Sequence, residues 1–159
     1  MSDSPSLFRT VATWSKAGVG TSIVLETCSP CDDKQKNKGT RIVFDIGATP
    51  CFDEAILSSI VIISHGHIDH IGAIFNHARA HALMKGGKPA TYYVPSALIP
   101  TLETARTAMS NLDGLCFASE EGESATEGGK RNLIKMNLVG VENGTEIELK
   151  QTKRINGMQ

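Results

Sequence analysis

The stretch Ser59-Ile-Val-Ile-Ile-Ser64, running directly into His65-Gly-His-Ile-Asp-His70-Ile-Gly72, decides how the rest of the chain is read. A continuous apolar run of this kind is the signature of a strand buried on both faces. The histidine-rich segment begins where that strand ends, and loops at the carboxyl ends of strands are where α/β proteins place their sites. Four potential ligands, His65, His67, Asp69 and His70, fall within six residues. Imidazoles and a carboxylate are donors that Zn2+, Mn2+ and Fe accept. In an extended or looping segment alternate side chains point the same way, so His65 and His67 can share one metal. Asp69 and His70 then reach a second position nearby. Gly66 lets the backbone bend, and Gly72 lets a following helix start close to the sheet. A lone histidine in a polar turn carries no such reading, but here three of the chain's five histidines are packed with an aspartate.

Working outward, the chain alternates between the two secondary-structure periods. Upstream, residues 7–14 alternate weakly and predict an edge strand. Thr21–Thr27 and Arg41–Gly47 predict two good strands joined as a hairpin with a long polar tip, Cys28–Gly39. Ala55–Leu57 predicts a short helical turn. Downstream, Ile71–Lys85 predicts a helix closed by Gly86, Gly87 and Pro89. Thr91–Val94 predicts a strand, and Ser96 caps a helix that Pro100 interrupts or restarts and that runs to about Asn111. Leu115–Ala118 is read as a short strand and Ser119–Arg131 as a loop. Leu133–Val141 and Thr145–Lys150 alternate, with Glu142-Asn-Gly144 as a hairpin turn between them. The order predicts an α/β fold, a mixed sheet with helices on one face, in a single domain covering 1–159.

Composition narrows the class without naming a partner. The chain has 159 residues and a formal net charge of −1, with 40% apolar and 21% charged residues. A domain of this length buries roughly 68–70% of its unfolded surface. No apolar run approaches the roughly 20 residues that span a bilayer, so no membrane is expected. The first ten residues lack a basic flank followed by an apolar core, so no secretory signal is expected. A cytoplasmic or nuclear location is the default, with an organelle left open. Sixteen Lys and Arg against 17 Asp and Glu exclude a globally basic nucleic-acid binder. The clusters Lys34, Lys36, Lys38 and Lys150, Lys153, Arg154 read as solvated loop and strand-end charges. Cys28, Cys31, Cys51 and Cys116 read as reduced thiols. Cys28 and Cys31 form a CxxC without a second CxxC to complete a zinc site, so an ordinary loop is expected there.

His-x-His-x-Asp-His after an apolar strand resembles the metallo-β-lactamase superfamily. Within it, Ser64-His65-x-His67-x-Asp69-His70-x-x-Gly72 is most similar to RNase Z, the tRNA 3′-processing endonuclease. The resemblance spans about residues 7–155, but only 64–72 are specific. It implies the N-terminal half of an αββα sandwich and a metal-dependent phosphodiesterase acting on a tRNA precursor. It implies two Zn2+ per complete site, with Mn2+ or Fe as alternatives, His65 and His67 on one ion, and Asp69 and His70 on the other. Asp69 also takes a proton-handling, catalytic role. Phe44-Asp45-Ile46-Gly47 resembles the family's earlier Asp-x-Gly element, which implies that Asp45 supports the metal loop from behind. Two cations would lower the pKa of a bridging water and clamp the attacking and leaving oxygens.

The family also draws a further His, a bridging Asp and a last His from the second half of its domain. This chain has no His after His81, and its one later Asp, Asp113, sits in a turn-like Asn-Leu-Asp-Gly. The expectation is therefore a truncated domain whose site is incomplete in this chain alone and which need not carry metal. Half of a two-sheet sandwich would leave one apolar sheet face in water, so association with a second copy or with a missing half is expected. His77 and His81, four apart on the predicted helix, are read as surface or helix-face residues, since the intervening Ala-Arg-Ala lacks the Glu of a zincin motif. The alternatives on the same fold are a glyoxalase II-like thioesterase or a lactonase, or a non-catalytic domain, because function lives in the rest of the site.

Overall fold

The computed structural model describes residues 8–28, 39–115 and 134–148. Among them the strands form one six-stranded mixed sheet in chain order: β1 (Phe8–Lys16), β2 (Gly20–Thr27), β3 (Arg41–Phe44), β4 (Ile60–Ile62), β5 (Ala90–Pro95) and β6 (Met136–Val141). β1, β2 and β3 pair antiparallel, while β3, β4, β5 and β6 pair parallel. The parallel strands need crossovers, which the helices supply. These are α1 (Phe52–Ile56), α2 (Ile68–Ile71), α3 (Ile74–Met84) and α4 (Ile99–Leu115), with a 3-10 turn over Ser96–Leu98. The α/β class, the mixed sheet and the antiparallel pairing of β2 with β3 therefore stand as expected, while most of the expected tip, residues 29–38, lies outside the described residues.

The register sorts side chains onto two faces. Val24, Val43, Val61, Tyr92 and Leu138 are cross-strand neighbours in one row. The first four are fully buried and form the core with Ile74, Ala78 and Leu102 from the helices. On the opposite face the next row is Ile23, Phe44, Ile62, Tyr93 and Val139. Ile23 and Phe44 are 38% and 36% exposed there, so a row of large apolar groups meets solvent. A charged group on the core face has partners: Glu26, 2% exposed, is paired by Arg9 and by Arg41, whose guanidinium also holds Glu54. Unpaired, that carboxylate would be costly to bury.

Several details depart from the sequence reading. The helix expected from Ile71 is split, with α2 carrying Asp69 and His70 and α3 starting at Ile74. Pro100 neither interrupts nor restarts α4, because it lies in the first turn, where its missing N–H has no intrahelical partner to lose. Asp113 is helical and accepts from Arg79 Nε at 3.0 Å, not a turn residue. Leu115 ends α4, and the rest of the strand expected at 115–118 lies outside the described residues, as do the 119–131 loop and the lysine clusters. The turn after β6 forms, with Thr145 N–H donating to Glu142 O and Gly144 at φ 85°. Residues 145–148 nevertheless make no strand. A turn needs only local chemistry, whereas a strand needs a partner ladder. Cys28 and Cys51 are free thiols, and Cys31 and Cys116 fall outside the described residues. No helix among the described residues is long and apolar enough to cross a membrane.

Candidate functional site

β4 buries Val61 in the core but leaves Ile60 and Ile62 half-buried on its other face, so it is not the strand buried on both faces that its apolar run predicts. It ends at Ile62, and the chain turns outward through Ser64, His65, Gly66 and His67 before α2 begins. His67 is exposed, while His65, Asp69 and His70 are half-buried. The three rings gather: His65 lies 4.5 Å from His67 and 4.0 Å from His70, centroid to centroid. Behind them sits Asp45, 7% exposed, just past the end of β3. Its φ of 58° is left-handed, a conformation that Asp tolerates better than most residues. That turn aims the carboxylate across the parallel β3–β4 pair at Ser64.

Asp45 Oδ1 accepts the Ser64 backbone N–H at 2.8 Å, and both carboxylate oxygens lie 2.9 Å from Ser64 Oγ. Oδ2 also accepts from His70 Nδ1 at 2.8 Å. An ionised carboxylate only accepts, so these contacts fix the protons. His70 carries its hydrogen on Nδ1. The Ser64 hydroxyl donates its one proton to Asp45, so at the 2.9 Å contact between Ser64 Oγ and His65 Nδ1 the histidine is the donor. Both imidazoles, in neutral form, then present an Nε2 lone pair on the side away from Asp45. This is the arrangement by which a carboxylate behind a histidine fixes its tautomer and ring orientation as a ligand.

Asp69 is reached from another direction. Its Oδ2 accepts the backbone N–H of Gly18, in the β1–β2 turn, at 3.1 Å. Desolvation pushes the Asp69 carboxyl up, but the Gly18 and Asp69 N–H groups together with the charges of His70 and His67 outweigh it and hold the group below its ordinary value. Oδ2 is 3.7 Å from His70 Nε2. Two acceptor atoms facing each other at that distance are favourable with a cation between them, a proton or a metal ion. Two donors each about 2.0–2.2 Å from one ion can lie that far apart, so the pair fits a shared ligand role. Among the described residues no three His, Cys, Asp or Glu side chains converge as a ready-made cage. The donors line an open surface instead.

His77 and His81, expected as surface or helix-face residues, share a face of α3 but are not on the surface: they are 0% and 1% exposed. His77 Nε2 donates to Ala55 O at 3.0 Å and its Nδ1 accepts from Tyr92 OH at 2.7 Å. His81 Nδ1 donates to Ile56 O at 2.8 Å. The two rings stack at 5.6 Å and satisfy carbonyls at the end of α1. Burial lowers His77 to about 4 and lowers His81, while burial raises the Tyr92 phenol, so all three stay neutral. The helical spacing showed that they share a face but not which face meets the sheet. The roles of Ser64 and Gly18 were also missed. Ser64 sits inside the motif, whereas nothing local marks Gly18, 51 residues from Asp69.

The chain is similar to tRNase Z TRZ1 of Arabidopsis thaliana. The two are 31% identical over 119 residues, which is 75% of this chain and 35% of the relative. The chain thus spans about a third of its relative's length. No family model matches it.

Proposed function

We propose that the chain is the N-terminal part of a metallo-β-lactamase-fold, metal-dependent phosphodiesterase of RNase Z type, acting on the 3′ end of a tRNA precursor. The observation that carries this is the Asp45 network, which leaves the Nε2 lone pairs of His65 and His70 available on one surface beside Asp69 and His67. Zinc is the ion that suits this donor set, with Mn2+ or Fe as alternatives. His65 and His67 would hold one ion, and Asp69 and His70 the other. Bound metal supplies a deprotonated water at neutral pH and charge stabilisation at phosphorus. Asp45 and Ser64 set the tautomers, and Asp69 holds or passes a proton at its carboxylate. The similarity to a tRNase Z supports tRNA as the substrate class.

Zinc content and calorimetric titration of the purified chain test this reading. Zinc is expected to bind weakly, because the donor set among the described residues is incomplete, and His65→Ala to remove the ion that His65 shares with His67. Asp45→Asn, which tolerates the left-handed backbone but removes the negative charge, is expected to weaken it about 10–100-fold. Zinc binding indifferent to His65→Ala overturns the assignment. Because that donor set is incomplete, cleavage of a 3′-extended tRNA, without thioester hydrolysis, is the activity expected once a partner supplies the remaining donors.

The uncovered row Ile23, Phe44, Ile62, Tyr93 and Val139 supports a second sheet packing on this face, and a second copy of the chain is the partner proposed. Light scattering is expected to give a dimer. A monodisperse monomer removes that partner.

A further inference from the structure

We propose that the β1–β2 turn is the positioning element for Asp69, with Gly18 as its positioning residue. This rests on the metal-site reading above. His65 and His70 are anchored from behind by Asp45, whereas Asp69 meets that network only through the 3.7 Å approach of its Oδ2 to His70 Nε2, too long for a hydrogen bond. It sits in the four-residue α2, too short to fix a side chain by itself and without a side-chain cap. Its carboxylate is held by the Gly18 N–H at 3.1 Å, together with its own backbone N–H, and Gly18 is the partner that comes from another element.

The turn that carries this amide is tied to α2 by backbone alone. Gly47 N–H donates to Thr21 O at 3.1 Å, Ile46 N–H to His70 O at 2.7 Å, and Ala73 N–H to Ile46 O at 2.9 Å. A Cβ on Gly47 would lie 2.7 Å from the Asp69 carbonyl carbon and 2.7 Å from Gly20 Cα, and a Cβ on Gly20 would meet the Ala48 backbone. The hairpin, the segment after β3 and α2 therefore stack at a separation that only glycine permits. Gly18 differs from these two. A Cβ there would meet nothing within 4 Å, so its glycine serves the φ of +69° that presents the amide, and not close packing. The hairpin position thus sets the carboxylate position.

Titration with Co2+, read by its visible absorption, tests the role without relying on activity. Gly18→Asn keeps the N–H and tolerates the left-handed backbone, whereas Gly18→Pro removes the N–H. Wild type and Gly18→Asn are expected to bind Co2+ within about twofold of each other with the same spectrum. Gly18→Pro is expected to bind about 10–100-fold more weakly with an altered spectrum, and at a lowered melting midpoint, because proline fixes φ at about −65° and cannot adopt the +69° of Gly18. Should Gly18→Pro fail to fold, the Gly18 amide in the 15N spectrum of the wild type and of Asp69→Ala decides. Loss of the bond in Asp69→Ala is expected to shift that resonance and speed its hydrogen exchange. Co2+ binding by Gly18→Pro equal to wild type, or a Gly18 amide indifferent to Asp69→Ala, overturns the proposal while leaving the metal site intact. No Co2+ binding by the wild type overturns the metal-site reading and the proposal with it.

Discussion

Two sets of histidines lie within 17 residues of each other and are used in opposite ways. His65 and His70 point one nitrogen back at Ser64 and Asp45 and leave the other facing outward. His77 spends both nitrogens inside the protein, on Tyr92 and on Ala55 O. The first set is half-buried and the second lies against the sheet. Residue type is the same, so ligand capacity depends on which group sits behind the ring and on whether the outward nitrogen meets space or a backbone carbonyl.

The sharpest way to break this contrast is to truncate the inner set. His77→Ala leaves a cavity beside Ala78 and Tyr92 and strips partners from the Tyr92 hydroxyl and the Ala55 carbonyl. The expected loss is about 4 kcal/mol, read from urea unfolding. A loss below about 1 kcal/mol would mean that the buried clamp is dispensable.

Protonation is the next lever. Burial holds the His77 pKa in the folded state at about 4, below the 6.5 of an ordinary histidine. The unfolded chain therefore binds more protons between these values, and stability falls as pH drops from 6.5 towards 4. His77 contributes about 3 kcal/mol to this loss, with His81 acting in the same direction. Unfolding midpoints measured from pH 7 to pH 4 check the slope, and a flat profile would contradict the burial of both rings.

The smallest effect is expected at the outer set. His67→Ala, at an exposed position, is expected to change stability by no more than about 0.5 kcal/mol while removing a zinc donor. Thermal melting and zinc titration on the same sample separate the two consequences.

The strands were legible because their signals are local. Thr21–Thr27 and Thr91–Val94 are β-branched or aromatic runs bounded by turn residues, and each is a strand, whereas the run Arg41–Gly47 is a strand only to Phe44 because the left-handed Asp45 turns the chain. The Glu142–Gly144 turn was legible for the same reason. Thr145–Glu148 alternates equally well and forms no strand, since alternation says that a segment can pair but not that a partner is present. The break between α2 and α3 was missed because Gly72 and Ala73 are compatible with a continuous helix. The backbone bonds of Ile46 to His70 and Ala73 decide otherwise. Spacing alone also singles out His65, His67, Asp69 and His70 as the candidate donors, and the structure gathers the three rings.

By itself, the sequence determined the α/β order of elements and the cluster of donors at the end of an apolar strand. Both follow from periodicity and residue chemistry within a few positions. Only the tertiary structure decided which nitrogens face outward, what orients Asp69, and that His77 and His81 lie inside. Those outcomes depend on Asp45 meeting Ser64 and His70 across 19 and 25 residues, and on Gly18 meeting Asp69 across 51. Such pairings are set by sheet register and backbone close approach, which no local pattern encodes.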